Sequence, residues 1–281
     1  MSAVTLTPSR PQAPAAAPSR GSSLRAGLRL AAFQVAYEQR AFWRNRTAAF
    51  FCFLLPLMFV VVFGTINGSE IVESRGGIKE VFVSVPGVLA YGVVMATFTN
   101  LAVSTASLRE QGVLKRLRGT PLPGWIYLSG RVGSAVIVAG LMAAATMALG
   151  ALAYGVDVRA STLPGLVLAL VLGTACFSAL GLAVAGVIHN ADGAMAVANA
   201  LVLPLTFASD VWAVFGGIPG WLTSFADVFP IRHLAHALQT PFDPRTTGTG
   251  VAGVDLLVLA AWLAVGSVLA AWAWRAEARR G

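Results

Sequence analysis

The clustered titratable side chains of this chain are Asp227, Arg232, His233 and His236. His233 and His236 stand three apart, so a helix would place them on one face. A zinc site wants a third protein ligand, and neither HExxH nor HxxEH occurs. No GxSxG offers a serine nucleophile. The cluster therefore reads as side chains at an outer headgroup interface, with no metal. ATP chemistry within the chain is excluded on motif grounds. A P-loop needs Gly-Lys-Ser/Thr, and the only lysines, Lys79 and Lys115, follow Ile78 and Leu114. If ATP drives this protein, another chain binds it and its Mg²⁺.

The elements that would position these residues are dictated by composition. The 281 residues are 57% hydrophobic and 11% charged, with mean hydropathy +0.74. A soluble domain carries nearer a quarter charged residues, so this apolar excess belongs in a bilayer. The net charge of +8 could suggest nucleic acid, but its distribution does not. Of twenty Lys and Arg, fifteen fall in Arg10 to Arg46, Arg109 to Arg131 and Arg275 to Arg280. These are alternate flanks of apolar runs, as the positive-inside rule requires, and no basic stripe interleaved with aromatics marks a nucleic-acid platform. Cys52 and Cys176 both lie in apolar runs and read as free thiols.

Residues 1–22, rich in Ala, Pro, Ser and Thr, read as a disordered cytoplasmic tail without the apolar core of a signal peptide. Residues 23–281 read as one membrane domain. Ser22 and Ser23 are plausible caps for a basic amphipathic helix over 23–46, which belongs in the headgroup plane. Spans follow at about 47–67, 81–107, 125–155, 163–188, 194–214 and 251–274, each long enough for a hydrocarbon core of about 30 Å. Pro56 is expected to kink the first. Arg131 is expected near the cytoplasmic edge of the third, snorkelling to water. Ala175, Ala179 and Ala183 of the fourth recur every four residues, as do Gly181 and Ala185, spacing that lets backbones approach closely. Residues 215–249 are too broken to span and read as two short external re-entrant helices. The result is an all-α membrane protein with six transmembrane helices and both termini cytoplasmic.

Between the second and third apolar runs lies a basic island, 108–124. Leu114 and Leu117 share a helical face, Arg109, Lys115, Arg116 and Arg118 surround it, and Pro121 and Pro123 end any helix. Composition alone would also suit a plain cytoplasmic loop. The order of residues adds more. Arg109, Glu110, Gly112, Leu114, Leu117, Thr120 and Pro121 together resemble the coupling loop of ABC-2 type transporter permeases, with Val113 where that family usually has Thr. In that family the loop docks on a separate ATPase subunit. The stretch from Phe207 to Ile231, with Pro219-Gly220-Trp221-Leu222 at its centre, resembles the daunorubicin-resistance type of permease. Asp210 stands there for an Asn, and Phe229 for a second.

The resemblance implies the membrane subunit of an ATP-binding cassette exporter in a bacterial cell membrane. It implies a permease homodimer, since two ATPases need two coupling loops and the short turn at 189–193 is a poor second copy. It implies a small amphipathic substrate, a drug or secondary metabolite, and no cofactor in this chain. A lipid-linked glycan exporter is the competitor within the family, and an intramembrane lipid-modifying enzyme the competitor outside it. The enzyme would need polar groups converging at one depth, whereas those here are scattered. For the substrate path, Thr97, Asn100 and Ser104 of the second span and Asn199, Thr206 and Asp210 of the fifth share faces at helical spacing. Lipid cannot pair such groups, so they should face other helices or a cavity.

Overall fold

In the computed structural model, the described residues are 20–66, 68–72, 77–113, 116, 124–188, 190–209 and 220–278. The proposed tail falls almost wholly outside them. The first helix, Arg20–Arg44, is followed at once by the first span, Arg46–Ile66. The helix begins before Ser22 and Ser23, so these serines lie in its first turn and do not cap it. A two-stranded hairpin pairs Ile71 with Lys79 and Val72 with Ile78. The second span is Val81–Glu110, with a turn of π-helix at Met95–Thr99. The third helix of the bundle is Gly124–Tyr154, the fourth Leu163–Val187 and the fifth Ala191–Ala208. Two short helices, Gly220–Ala226 and Pro230–Gln239, precede the last span, Gly253–Ala278. Among the described residues six helices are long and apolar enough to cross a membrane, so the chain is an all-α membrane protein.

The second span organises the bundle. In its most apolar stretch of eighteen residues 89% are buried, whereas in the first and last spans the figure is 22% and most of the surface turns outward. The reason is in its side chains. Val83, Val88, Leu89, Val93 and Ala96 meet neighbours on every side, whereas Phe50, Phe51, Leu54, Met58 and Val61 of the first span stay exposed. A lipid-facing helix gains nothing from covering such residues with protein. Pro56 is buried within a continuous first-span helix and packs against Gly92 of the second.

Small residues set the close approaches, as their spacing anticipated. A Cβ on Gly181 would lie 2.6 Å from the Phe98 carbonyl oxygen, so the fourth span seats directly on the π turn. Gly186 faces Ala273, and Gly266 faces Ala179 and Leu180, which joins the fourth span to the last. The first helix docks on the third span where Gly130 and Gly133 admit Gln34 and Val35. Gln39 Nε2 donates to the Ser134 carbonyl at 2.8 Å and to its hydroxyl at 3.0 Å. Leu30, Phe33 and Tyr37, on another face of that helix, remain exposed.

The second short helix is buried more deeply than a surface helix. Ile231, Leu234, Ala235 and Leu238 are each at most 2% exposed. Gln239 Nε2 donates to the Val83 carbonyl at 3.4 Å, tying this helix to the start of the second span.

Candidate functional site

The C-terminal end of the second span carries the first residues of the coupling-like motif. Arg109 Nη1 donates to the Ile188 carbonyl at 3.2 Å and to the Ala185 carbonyl. These are among the last carbonyls of the fourth span, which have no partner within that helix. Glu110 Oε2 accepts from the Ala191 amide, the first of the fifth span, at 3.3 Å. The cation thus meets the negative end of one helix dipole and the carboxylate the positive end of the next. Asn190 completes the turn by accepting from the Gly193 amide at 2.8 Å, as an N-cap should. One helix end therefore clasps the turn between two others.

Beyond the clasp the chain turns at Gly112, whose φ of +70° is the left-handed conformation that a Cβ disfavours. This accounts for glycine at that place in the motif. Leu114, Leu117, Thr120 and Pro121 lie outside the described residues.

Above the clasp, the polar residues of the second span have two fates. Thr97 is fully buried and donates to the Val93 carbonyl at 2.6 Å. Asn100 donates to the Ala96 carbonyl at 3.4 Å, and Ser104 to the Asn100 carbonyl. Asn100 and Ser104 also line a cavity of about 650 Å³ between the first helix and the first, second and third spans. Thr97, Asn199 and Thr206 do not line it. Thr206 is fully buried and returns its hydroxyl to the Val202 carbonyl at 2.6 Å. Asn199 is half-buried on the fifth span, and Asp210 lies outside the described residues.

Arg131 departs from expectation. It does not snorkel: it is 6% exposed, inside the third span, on the wall of the same cavity. Its Nη1 donates to Tyr127 Oη at 2.9 Å and its Nη2 to Ser104 Oγ. The Tyr127 ring lies 5.7 Å from the guanidinium carbon. Ser134 and Glu38 line the cavity too. Sequence reasoning missed these residues as a site. The available signal was an arginine within the first turns of an apolar run, with Ser104 near the matching end of the neighbouring span.

His233 holds helices together. His233 Nδ1 lies 2.7 Å from Asp255 Oδ1, and its Nε2 lies 2.8 Å from the Asp227 carbonyl. Arg232 pairs with Asp227 at 2.9 Å. Both ring nitrogens of His233 are thus engaged, fixing the second short helix against the start of the last span. Among the described residues, no three His, Cys, Asp or Glu side chains converge on a metal position. Nearby, the Arg245 guanidinium holds the Asp243 carboxyl below the usual carboxylate range.

The comparisons with known proteins agree with this layout. Residues 33–242 match the family described as ABC-2 type transporter. A putative transport permease of Bacillus subtilis is 22% identical over 198 residues, covering 70% of this chain and 78% of its own length. A daunorubicin resistance ABC transporter permease of Streptomyces coeruleorubidus is 26% identical over 214 residues, 75% of this chain and 74% of its own. A probable multidrug ABC transporter permease of Escherichia coli is 26% identical over 149 residues, 53% of this chain and 40% of its own. The matched region takes in the basic island, the clasp, the cavity and both short helices, and the chain belongs to the ABC-2 type transporter family as a multi-pass membrane permease.

Proposed function

We propose that this permease works as a homodimer with a separate ATPase subunit, which binds ATP and Mg²⁺ and docks on residues 108–121. The complex exports a small amphipathic molecule across a bacterial cell membrane, with both termini of this chain on the cytoplasmic side. The observation that carries the reading is the clasp. Arg109 and Glu110 fix the start of the basic island to the turn joining the fourth and fifth spans. A displacement of the island therefore reaches three membrane helices through charged hydrogen bonds, as an energy-coupling element requires. A membrane enzyme would have no need for such a joint. Leu114 and Leu117 supply the apolar ridge for the ATPase, and the surrounding arginines the charge.

The test is co-purification. Changing both Leu114→Asp and Leu117→Asp should abolish recovery of the ATPase with the permease while membrane insertion persists. Undiminished recovery at equal permease level would sink the docking assignment.

A further inference from the structure

We propose that the cavity beside Arg131 binds the anionic head group of an amphiphile, with a phosphate or carboxylate on the guanidinium and the chain along the apolar walls. Three observations converge. First, Arg131 is 6% exposed and its hydrogen bonds go to two neutral hydroxyls, those of Tyr127 and Ser104. A buried cation is costly without a countercharge. Among the described residues no carboxylate forms an ion pair with it. Glu38, which lines the same cavity, instead accepts from Gln34 Nε2 at 3.3 Å. A guanidinium carries five N–H donors in a planar fork suited to phosphate or carboxylate, so donors remain for a ligand.

Second, the cavity has the shape and lining of an amphiphile site. Its volume of about 650 Å³ falls within the usual range for small-molecule sites. Its lining combines polar groups, among them Arg131, Ser104, Asn100 and Ser134, with apolar walls such as Phe51, Leu55 and Val138. Third, one wall is the first helix, whose Phe42 faces the cavity while Leu30, Phe33 and Tyr37 are exposed beside Arg29, Arg40 and Arg44. Such a helix lies among anionic head groups. The opening is thus set where head groups of the inner leaflet are concentrated. That depth rests on the orientation proposed above, whereas the binding itself does not.

Two sources share this chemistry: a phospholipid of the inner leaflet, and an anionic exported amphiphile. The experiment uses the delipidated full-length permease in neutral detergent, without ATPase or transport. Dodecyl phosphate, phosphatidylglycerol and dodecyl glucoside are titrated while tryptophan fluorescence is read. The expected result is at least tenfold tighter binding of an anionic probe than of the glucoside. Arg131→Gln should remove that preference, and Arg131→Lys should keep part of it. Ala41→Trp fills the cavity from the first helix without touching the charge and should weaken every probe, which keeps the test open if Arg131→Gln does not fold. Tighter binding of phosphatidylglycerol identifies the lipid source, and tighter binding of dodecyl phosphate the single-chain amphiphile. Equal binding of charged and neutral probes by the wild type overturns the proposal. So does anionic binding that survives both Arg131→Gln and Ala41→Trp. Neither failure would bear on ATPase docking, which is read separately.

Discussion

The clasp makes a quantitative prediction, because its two halves are unequal. Arg109 is half-buried and donates to two carbonyls at the C-terminal end of the fourth span. Hydrogen bonds to charged groups contribute about 1.5–3 kcal/mol each. Partial exposure discounts that figure, while loss of the packed arginine stem adds to it. Arg109→Ala should therefore destabilise the permease by about 2–4 kcal/mol. Glu110 is exposed and makes one longer contact, 3.3 Å, at a helix N-terminus. Interactions of that kind contribute about 0.3–1 kcal/mol, so Glu110→Ala should cost no more than that.

The assay is equilibrium unfolding of the purified permease in mixed micelles, with both variants compared at one detergent composition. Arg109→Ala should lose at least twice the stability lost by Glu110→Ala. Reconstituted with its ATPase, the Arg109→Ala protein should hydrolyse ATP but move less substrate per ATP, since the island would no longer pull on the fourth span. Equal stability losses for the two variants would refute the geometric argument. Parallel loss of hydrolysis and transport would refute the mechanical one.

Two further outcomes follow from other positions. Gly181→Ala should destabilise the bundle by about 1–3 kcal/mol, since the new Cβ would sit 2.6 Å from the Phe98 carbonyl oxygen. Gly140→Ala, with nothing within 4 Å of its Cβ, should leave stability unchanged or raise it by up to about 1 kcal/mol; thermal melts of the pair that shift equally would contradict the packing. Asp210→Asn should reduce export of cationic amphiphiles more than neutral ones if this carboxylate borders the outer end of the path. Equal reductions at equal protein level would restrict Asp210 to capping or solvation.

Much of the architecture was legible because bilayer and backbone constrain sequence together. Apolar runs placed five of the six spans to within a few residues, whereas the fifth helix ends at Ala208, short of 214; the four-residue recurrences at Ala175, Ala179 and Ala183 and at Gly181 and Ala185 mark packed faces of the fourth, Ala179 against the last span and Gly181 against the second. Pro219 and Gly220, with the mixed polarity after Phe225, were enough to separate two short helices from the last span. Long-range partners were not legible. Periodicity places Arg109 on a face of the second span, but nothing local says that its guanidinium reaches Ala185 and Ile188. Arg131 was misplaced for a related reason. A long side chain near the end of a span can snorkel or turn inward, and only the Ser104 hydroxyl and the Tyr127 ring on its inward side decide between them. Thr97 and Thr206 read as facing other helices or a cavity because lipid cannot pair their hydroxyls, and both are fully buried. What the sequence does not show is that both hydroxyls use a carbonyl one turn back in their own helix, an option open to any helical threonine.

The second span joins these features into a mechanical proposal. Its N-terminal start is held by Gln239 of the second short helix through the Val83 carbonyl. Its middle, at the π turn, is seated against Gly181. Its inner end is clasped to the turn between the fourth and fifth spans. A well-packed helix transmits displacement because its surroundings are dense and little compressible. The π turn is the place where it can yield, since π geometry interrupts the regular hydrogen-bond ladder and recurs at functional sites. Within the proposed cycle, a pull on the basic island would therefore bend the span at Met95–Thr99. That turn borders the cavity through Met95 and Thr99, so the bend would change the space beside Arg131 before it reached the outer short helices.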